Sequence, residues 1–150
     1  LFAKKNKKKP FFLLDVLACV TPIGLFFGRI ANFINAELYG KPTSNNFISV
    51  VFPNIDDLPR HPSQLYESFL EGFLLFVLLN IVVFRKNYRL GSCSVLFLIL
   101  YGIFRIISEQ FREPDAQIGY LFSLMSMGTL LSSLMIIIGF ILFLKINKNE

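Results

Sequence analysis

Thiol and imidazole chemistry is scarce in this chain: its 150 residues hold two cysteines and one histidine. No CxxC pair and no His/Cys cluster is present, so no bound metal is expected, a closed site needing about four such ligands. Cys19 and Cys93 fall within apolar runs, where cysteine behaves as a small buried hydrophobe, and no disulfide is expected between them. Ser63, Ser108, Ser123 and Ser126 lack the GxSxG setting of a nucleophile elbow and read as helix caps or packing residues. There is no self-similarity at a period of roughly 20–50 residues and no low-complexity linker, which excludes a solenoid or a string of modules. The chain reads as one compact helical unit, or part of one.

Hydrocarbon is what the sequence has in abundance. Hydrophobic residues make up 54% of it and eighteen residues are Phe, with a mean hydropathy of +0.59. That is too apolar for a soluble core with a wettable surface, and it indicates an all-α, polytopic integral membrane protein. The formal charge of +5 is concentrated rather than spread, and nucleic acid is not the expected partner. Four spans are expected, at about 11–28, 64–84, 93–112 and 118–144, with an external loop at 41–62 rich in Pro, Asn and Asp. Pro22 should kink the first span, and Pro114 with Asp115 should stop the third and cap the fourth. Ten of the fifteen Lys and Arg residues fall in 4–9, 85–89 and 145–148, which by the positive-inside rule places both ends in the cytoplasm. The chain opens on Leu1 rather than Met, and the expectation is that a preceding part is absent.

Against this apolar background the charged residues stand out. Arg29, Asn32, Asn35 and Glu37 follow directly on the greasy run 23–27, and helical spacing puts Arg29, Asn32 and Asn35 on one side. Gln64, Glu67 and Glu71 form a stripe on the second span, and Tyr101, Arg105, Glu109 and Arg112 form another on the third. An ionised side chain at helix-centre depth costs roughly 2.5–3.5 kcal/mol to insert, so each must be paired, hydrated or used. Arg105 and Glu109 could simply neutralise each other and glue helices together. With the proposed topology, however, all three clusters meet near the outer leaflet, and guanidinium groups there suit a lipid phosphate. His61 sits in a proline-flanked turn at the mouth of this region, either as a general base or as a residue that positions the turn.

Three motifs, GRIANFINAELYG (28–40), RHPSQLYE (60–67) and YGIFRIISEQFREPDAQIG (101–119), resemble in order and spacing those of the bacterial prolipoprotein diacylglyceryl transferases. The resemblance covers nearly the whole chain. It implies an inner-membrane enzyme that moves the diacylglyceryl group of phosphatidylglycerol onto the lipobox cysteine of a prolipoprotein signal peptide, with the active site on the outer, periplasmic side and no cofactor. It implies that Arg29, Asn32, Glu37 and Gly40 belong to the family's signature, and that Tyr101, Arg105 and Glu109 are its essential later residues. Arg29 would bind the lipid phosphate and Arg105 the phosphate or leaving group. Glu37 and Glu109 would orient these arginines, and Asn32 and Tyr101 would bond headgroup hydroxyls or esters. Gln64 and Glu67 join the substrate-binding set.

Two departures accompany the resemblance. Ala31 stands where the family usually has glycine, a small-for-small change expected to preserve close helix packing. The family also has further N-terminal spans with a His-Gly-Gly stretch considered catalytic, and nothing here matches it. The chain therefore reads as the C-terminal part of such an enzyme, with its activity as it stands and the identity of the base, His61 or the N-terminal histidine, left open. Two other classes remain beside it: a transporter or channel fragment, which would place polar residues in both membrane halves, and a membrane protein that binds anionic lipid without turnover.

Overall fold

The computed structural model describes residues 9–45, 47–85, 88–113, 120–121 and 125–148. Four helices alternate in direction: α1 (Pro10–Ile34), α2 (Ser63–Val83), α3 (Ser92–Glu109) and α4 (Met127–Lys148). All four are long and apolar enough to cross a membrane. Phe11 and Ile146 both lie against Gly91, so the start of α1, the start of α3 and the end of α4 share one end of the bundle, called here the basic end. The opposite end carries the end of α1, the start of α2 and the end of α3, with the described residues 35–45, 47–62 and 110–113 beside them, and is called the loop end.

The burial pattern is the reverse of a soluble protein's. Large apolar side chains such as Leu17, Phe27, Phe69, Phe73, Ile137 and Ile141 face outward, as they should against lipid. Ala18, Leu75, Leu79 and Cys93 form a small apolar core. Asp15, Gln64, Glu67, Glu71, Arg105 and Arg112 are buried as well. With lipid outside, apolar surface gains little by turning inward, and the polar groups segregate to the protein interior instead.

Two features of α1 and α2 set the site's geometry. Pro22 removes one backbone donor inside α1, yet the helix continues through Arg29 to Ile34, so the polar stretch is helical. In α2 the middle stretch Ser68–Leu74 is π-helical, between α-helical Ser63–Glu67 and Leu75–Val83. This wide turn contains Glu71 and Gly72. A Cβ at Gly72 would lie 2.6 Å from Phe26 Cβ, so its bare backbone lets α1 close onto α2 just below the polar stretch.

The loop end is stitched by short extended pieces. The strands β1 (Val50–Val51) and β2 (Pro59–Arg60) pair antiparallel with Val50 opposite Arg60, and Gly40 bridges to Arg112. Arg60 clamps this region: it bonds Asp56 at 2.6 Å, Glu113 at 3.2 Å and the Gly40 carbonyl at 3.0 Å, and it lies 4.7 Å from the centre of the Tyr39 ring. The Arg60 guanidinium holds the Asp56 carboxyl below the usual carboxylate range.

The fourth span was expected from about residue 118, but α4 begins at Met127. Tyr120–Leu121 (β3) and Met125–Ser126 (β4) instead pair as an antiparallel ladder, an extended conformation that breaks helical continuity ahead of α4. Ser126 caps α4 by accepting the Thr129 N–H at 3.1 Å. The expected stop and cap at Pro114 and Asp115, together with Ser123, Lys86 and the basic run 4–8, lie outside the described residues.

A buried arginine and carboxylate cluster as the candidate active site

Glu67 is the centre of the site. It is fully buried and takes Arg29 Nε from α1 at 2.8 Å and Arg105 Nη1 from α3 at 2.7 Å. Arg112 Nη1 stands 3.8 Å away. Glu109, one helical turn along from Arg105, meets its other terminal nitrogen at 2.8 Å. Glu71, also fully buried, lies 3.6 Å from Arg29 Nη2 and 3.6 Å from Arg105 Nη1, beyond hydrogen-bond reach. Three guanidiniums and three carboxylates, from α1, α2, α3 and the stretch just after α3, thus interlock at the loop end. The Arg105–Glu109 pair exists, as the simplest reading had it, but it is one edge of a larger network.

The network is incomplete as a hydrogen-bonding system. Both Glu71 oxygens, Gln64 Oε1 and Ser108 Oγ are buried with no hydrogen-bond partner among the described residues. Glu67 Oε2 and Glu109 Oε2 face their arginines without hydrogen-bond alignment. Buried polar groups are normally satisfied, each orphan costing about 1–3 kcal/mol. These orphans are oxygens that can take a donor such as a hydroxyl, while the two guanidiniums beside them are the groups that suit an anion.

The other expected site residues fall into two groups. Gln64 is buried, and its amide donates to the Glu37 carbonyl at 2.7 Å, tying the chain after α1 to the start of α2. Tyr101 is half-buried and stacks on Phe97 at 5.5 Å; Asn32 is half-buried, and its carbonyl accepts the Glu37 N–H at 2.8 Å. Gly40 acts through its backbone: its N–H donates to His61 O at 3.1 Å, and a Cβ would stand 2.7 Å from the Phe111 carbonyl. The His61 ring shares a 3.2 Å hydrogen bond with the Tyr66 hydroxyl and packs on Phe111 at 5.2 Å. Those contacts match a residue that positions the turn.

Three expectations need correcting. Among the described residues the Glu37 carboxylate orients no arginine: the backbone is left-handed at Ala36 and Leu38 (φ 57 and 54), the Glu37 side chain is exposed, and Arg29 pairs with Glu67 at 2.8 Å instead. Asn35 is the residue after the last helical one and is exposed, off the shared side of Arg29 and Asn32. Ala31 is exposed, so its small size serves no close packing among the described residues. Glu71 shares the 64/67/71 stripe with Gln64 and Glu67, sits in the π-helical stretch Ser68–Leu74 and lies 3.6 Å from both arginines.

An apolar groove of about 420 Å³ runs beside the cluster, lined by Leu65, Tyr66, Phe69, Ile107, Ser108 and Phe111. Ser108 belongs to the turn between Arg105 and Glu109, so the groove and the ion cluster lie on neighbouring faces of α3. A second apolar cavity of about 280 Å³, near Val82, Leu96 and Phe143, has no ionisable lining and carries no chemistry.

Fold and site together define a polytopic membrane protein with an anion-competent arginine cluster buried among its spans and an acyl-sized groove next to it. Sequence comparison makes the class specific. The profile of the family described as prolipoprotein diacylglyceryl transferase matches residues 1–145, and the chain belongs to that family. It is 52% identical over 147 residues to the phosphatidylglycerol–prolipoprotein diacylglyceryl transferase of Rickettsia bellii (strain OSU 85-389), covering 97% of this chain and 56% of that relative. The protein of the same name from Rickettsia typhi (strain ATCC VR-144 / Wilmington) is 50% identical over 151 residues, 99% of this chain and 58% of the relative. The chain thus spans little more than half the length of the curated relatives it matches.

Proposed function

We propose that this chain is the part of a phosphatidylglycerol:prolipoprotein diacylglyceryl transferase that grips the lipid phosphate, in a bacterial inner membrane, with the loop end facing outward. The observation that carries the reading is the convergence of Arg29 and Arg105 on one buried carboxylate, Glu67, from two different helices. In the reaction the cysteine thiol gives its proton to a base and its sulfur bonds to the glyceryl carbon. The C–O bond to phosphate breaks, and the electron pair leaves on the phosphate oxygen as glycerol phosphate.

Charge therefore grows on the phosphate as the bond breaks, and preorganised guanidiniums in a dry site stabilise it without solvent reorganisation. Arg29 and Arg105 hold the phosphate, Glu67 and Glu109 aim them, and Tyr101 and Asn32 address the headgroup. Acyl chains lie in the groove along Leu65, Phe69 and Ile107, with the lipobox segment of the prolipoprotein signal peptide approaching from the loop end. No metal or organic cofactor enters this scheme.

The test is transfer of labelled glycerol lipid from phosphatidylglycerol to a lipobox peptide by the full-length chain. Arg105→Ala should reduce the rate by about 10²–10³-fold, the usual cost of one lost donor to a developing oxyanion. Near-parental activity would overturn the phosphate assignment.

A further inference from the structure

Resting on the proposed phosphate site, we infer that binding of a phosphodiester anion between Arg29 and Arg105 is coupled to uptake of a proton by Glu71. The side chains of the site balance in formal charge, Arg29, Arg105 and Arg112 against Glu67, Glu71 and Glu109. A phosphodiester adds one negative charge, and like charges a few ångströms apart inside a protein repel strongly. A bound anion is therefore opposed by the carboxylates already there unless one of them becomes neutral.

Geometry selects which one. Glu67 stands within 2.8 Å of Arg29 and 2.7 Å of Arg105, and Glu109 within 2.8 Å of Arg105; neutralising either would sever a close ion pair. Glu71 lies 3.6 Å from the two guanidinium nitrogens, and among the described residues both its buried oxygens lack a hydrogen-bond partner. It loses least on protonation, and once protonated it has an O–H to donate to a phosphate oxygen. The groups that face it are Arg29 from α1, Arg105 from α3, Glu67 on its own helix and the Tyr101 phenol from α3, close enough to feel its charge. A ligand phosphate would draw the two guanidiniums further toward itself and leave Glu71 as the least compensated carboxylate.

The coupling has a sign and a readout. A site that takes up a proton with its ligand binds more tightly as pH falls, by up to about tenfold per pH unit for one proton. Phosphatidylglycerol in detergent micelles titrated calorimetrically into the full-length chain, in two buffers of different ionisation heat, should give different heats corresponding to net proton uptake. Glu71→Gln should abolish that difference and flatten the pH dependence while binding phosphatidylglycerol at least as tightly; Glu71→Asp should keep both. A structural role alone would lower stability without removing proton uptake. Equal heats in both buffers, with binding intact, would overturn the coupling and leave the phosphate site standing. Binding no stronger than to diacylglycerol, which lacks the phosphate, in the same detergent micelles would refute the phosphate site and the coupling together. The parental titration decides the matter even if Glu71→Gln fails to fold.

Discussion

Two sets of buried carboxylates sit at opposite ends of the same helices, and they are solvated in opposite ways. At the basic end, Asp15 takes four neutral donors: the Tyr88 hydroxyl and the Gly91 N–H at 2.5 Å on one oxygen, the Ser94 N–H at 2.8 Å and the Ser94 hydroxyl at 2.5 Å on the other. Gly91 and Ser94 open α3, so a side chain from α1 caps a helix that has no side-chain cap of its own. Burial and the adjacent carboxylate push the Tyr88 phenol well above its usual range, so it stays a donor. At the loop end, Glu67 and Glu71 face guanidiniums, and some of their oxygens lack any aligned donor. A saturated anion fastens helices; an unsaturated one surrounded by cations is poised to exchange partners. The contrast also bears on a transport path, because the polar residue at the basic end is closed off by its own hydrogen bonds.

Removing each kind of carboxylate partner should break the two ends differently. Asp15→Ala orphans donors from Tyr88, Gly91 and Ser94, at about 1–3 kcal/mol each. The largest loss of unfolding free energy in detergent is expected here, with the transfer rate per folded molecule unchanged. A slower reaction at undiminished stability would make Asp15 part of the machinery and erase the distinction. Arg29→Lys comes next: a point charge keeps attraction to Glu67 but not the planar fork, and transfer should fall by about 10–100-fold with little change in stability. Parental rates for that variant would reduce the cluster to charge balance. Smallest in effect is Ser44→Cys, an exposed position in the loop. It should leave activity untouched and react with an impermeant thiol reagent from outside intact cells, whereas labelling only after lysis would put the loop end in the cytoplasm.

Much of this was readable before any coordinates, for a physical reason. Charges in a 54% hydrophobic sequence have few places to go, and spacing along α2 and α3 already aligned Gln64 with Glu67 and Tyr101 with Arg105 and Glu109. Local backbone geometry was the part that hid. Left-handed residues on either side of Glu37 send its carboxylate outward and leave its carbonyl for Gln64, and neither Ala36 nor Leu38 is a type that announces such a turn. The Asp15 acceptor was equally hidden, because its donors lie more than seventy residues away.

The wide turn at Ser68–Leu74 has a mechanical meaning for α2 as a whole. It works as a change of phase: the half that carries Gln64 and Glu67 can point its ionisable side chains at the arginines, while the half that carries Leu75 and Leu79 independently turns those side chains into the apolar core. Excising one residue within that turn would rotate one half against the other by about 100°, so the charges and the leucines could no longer both face inward.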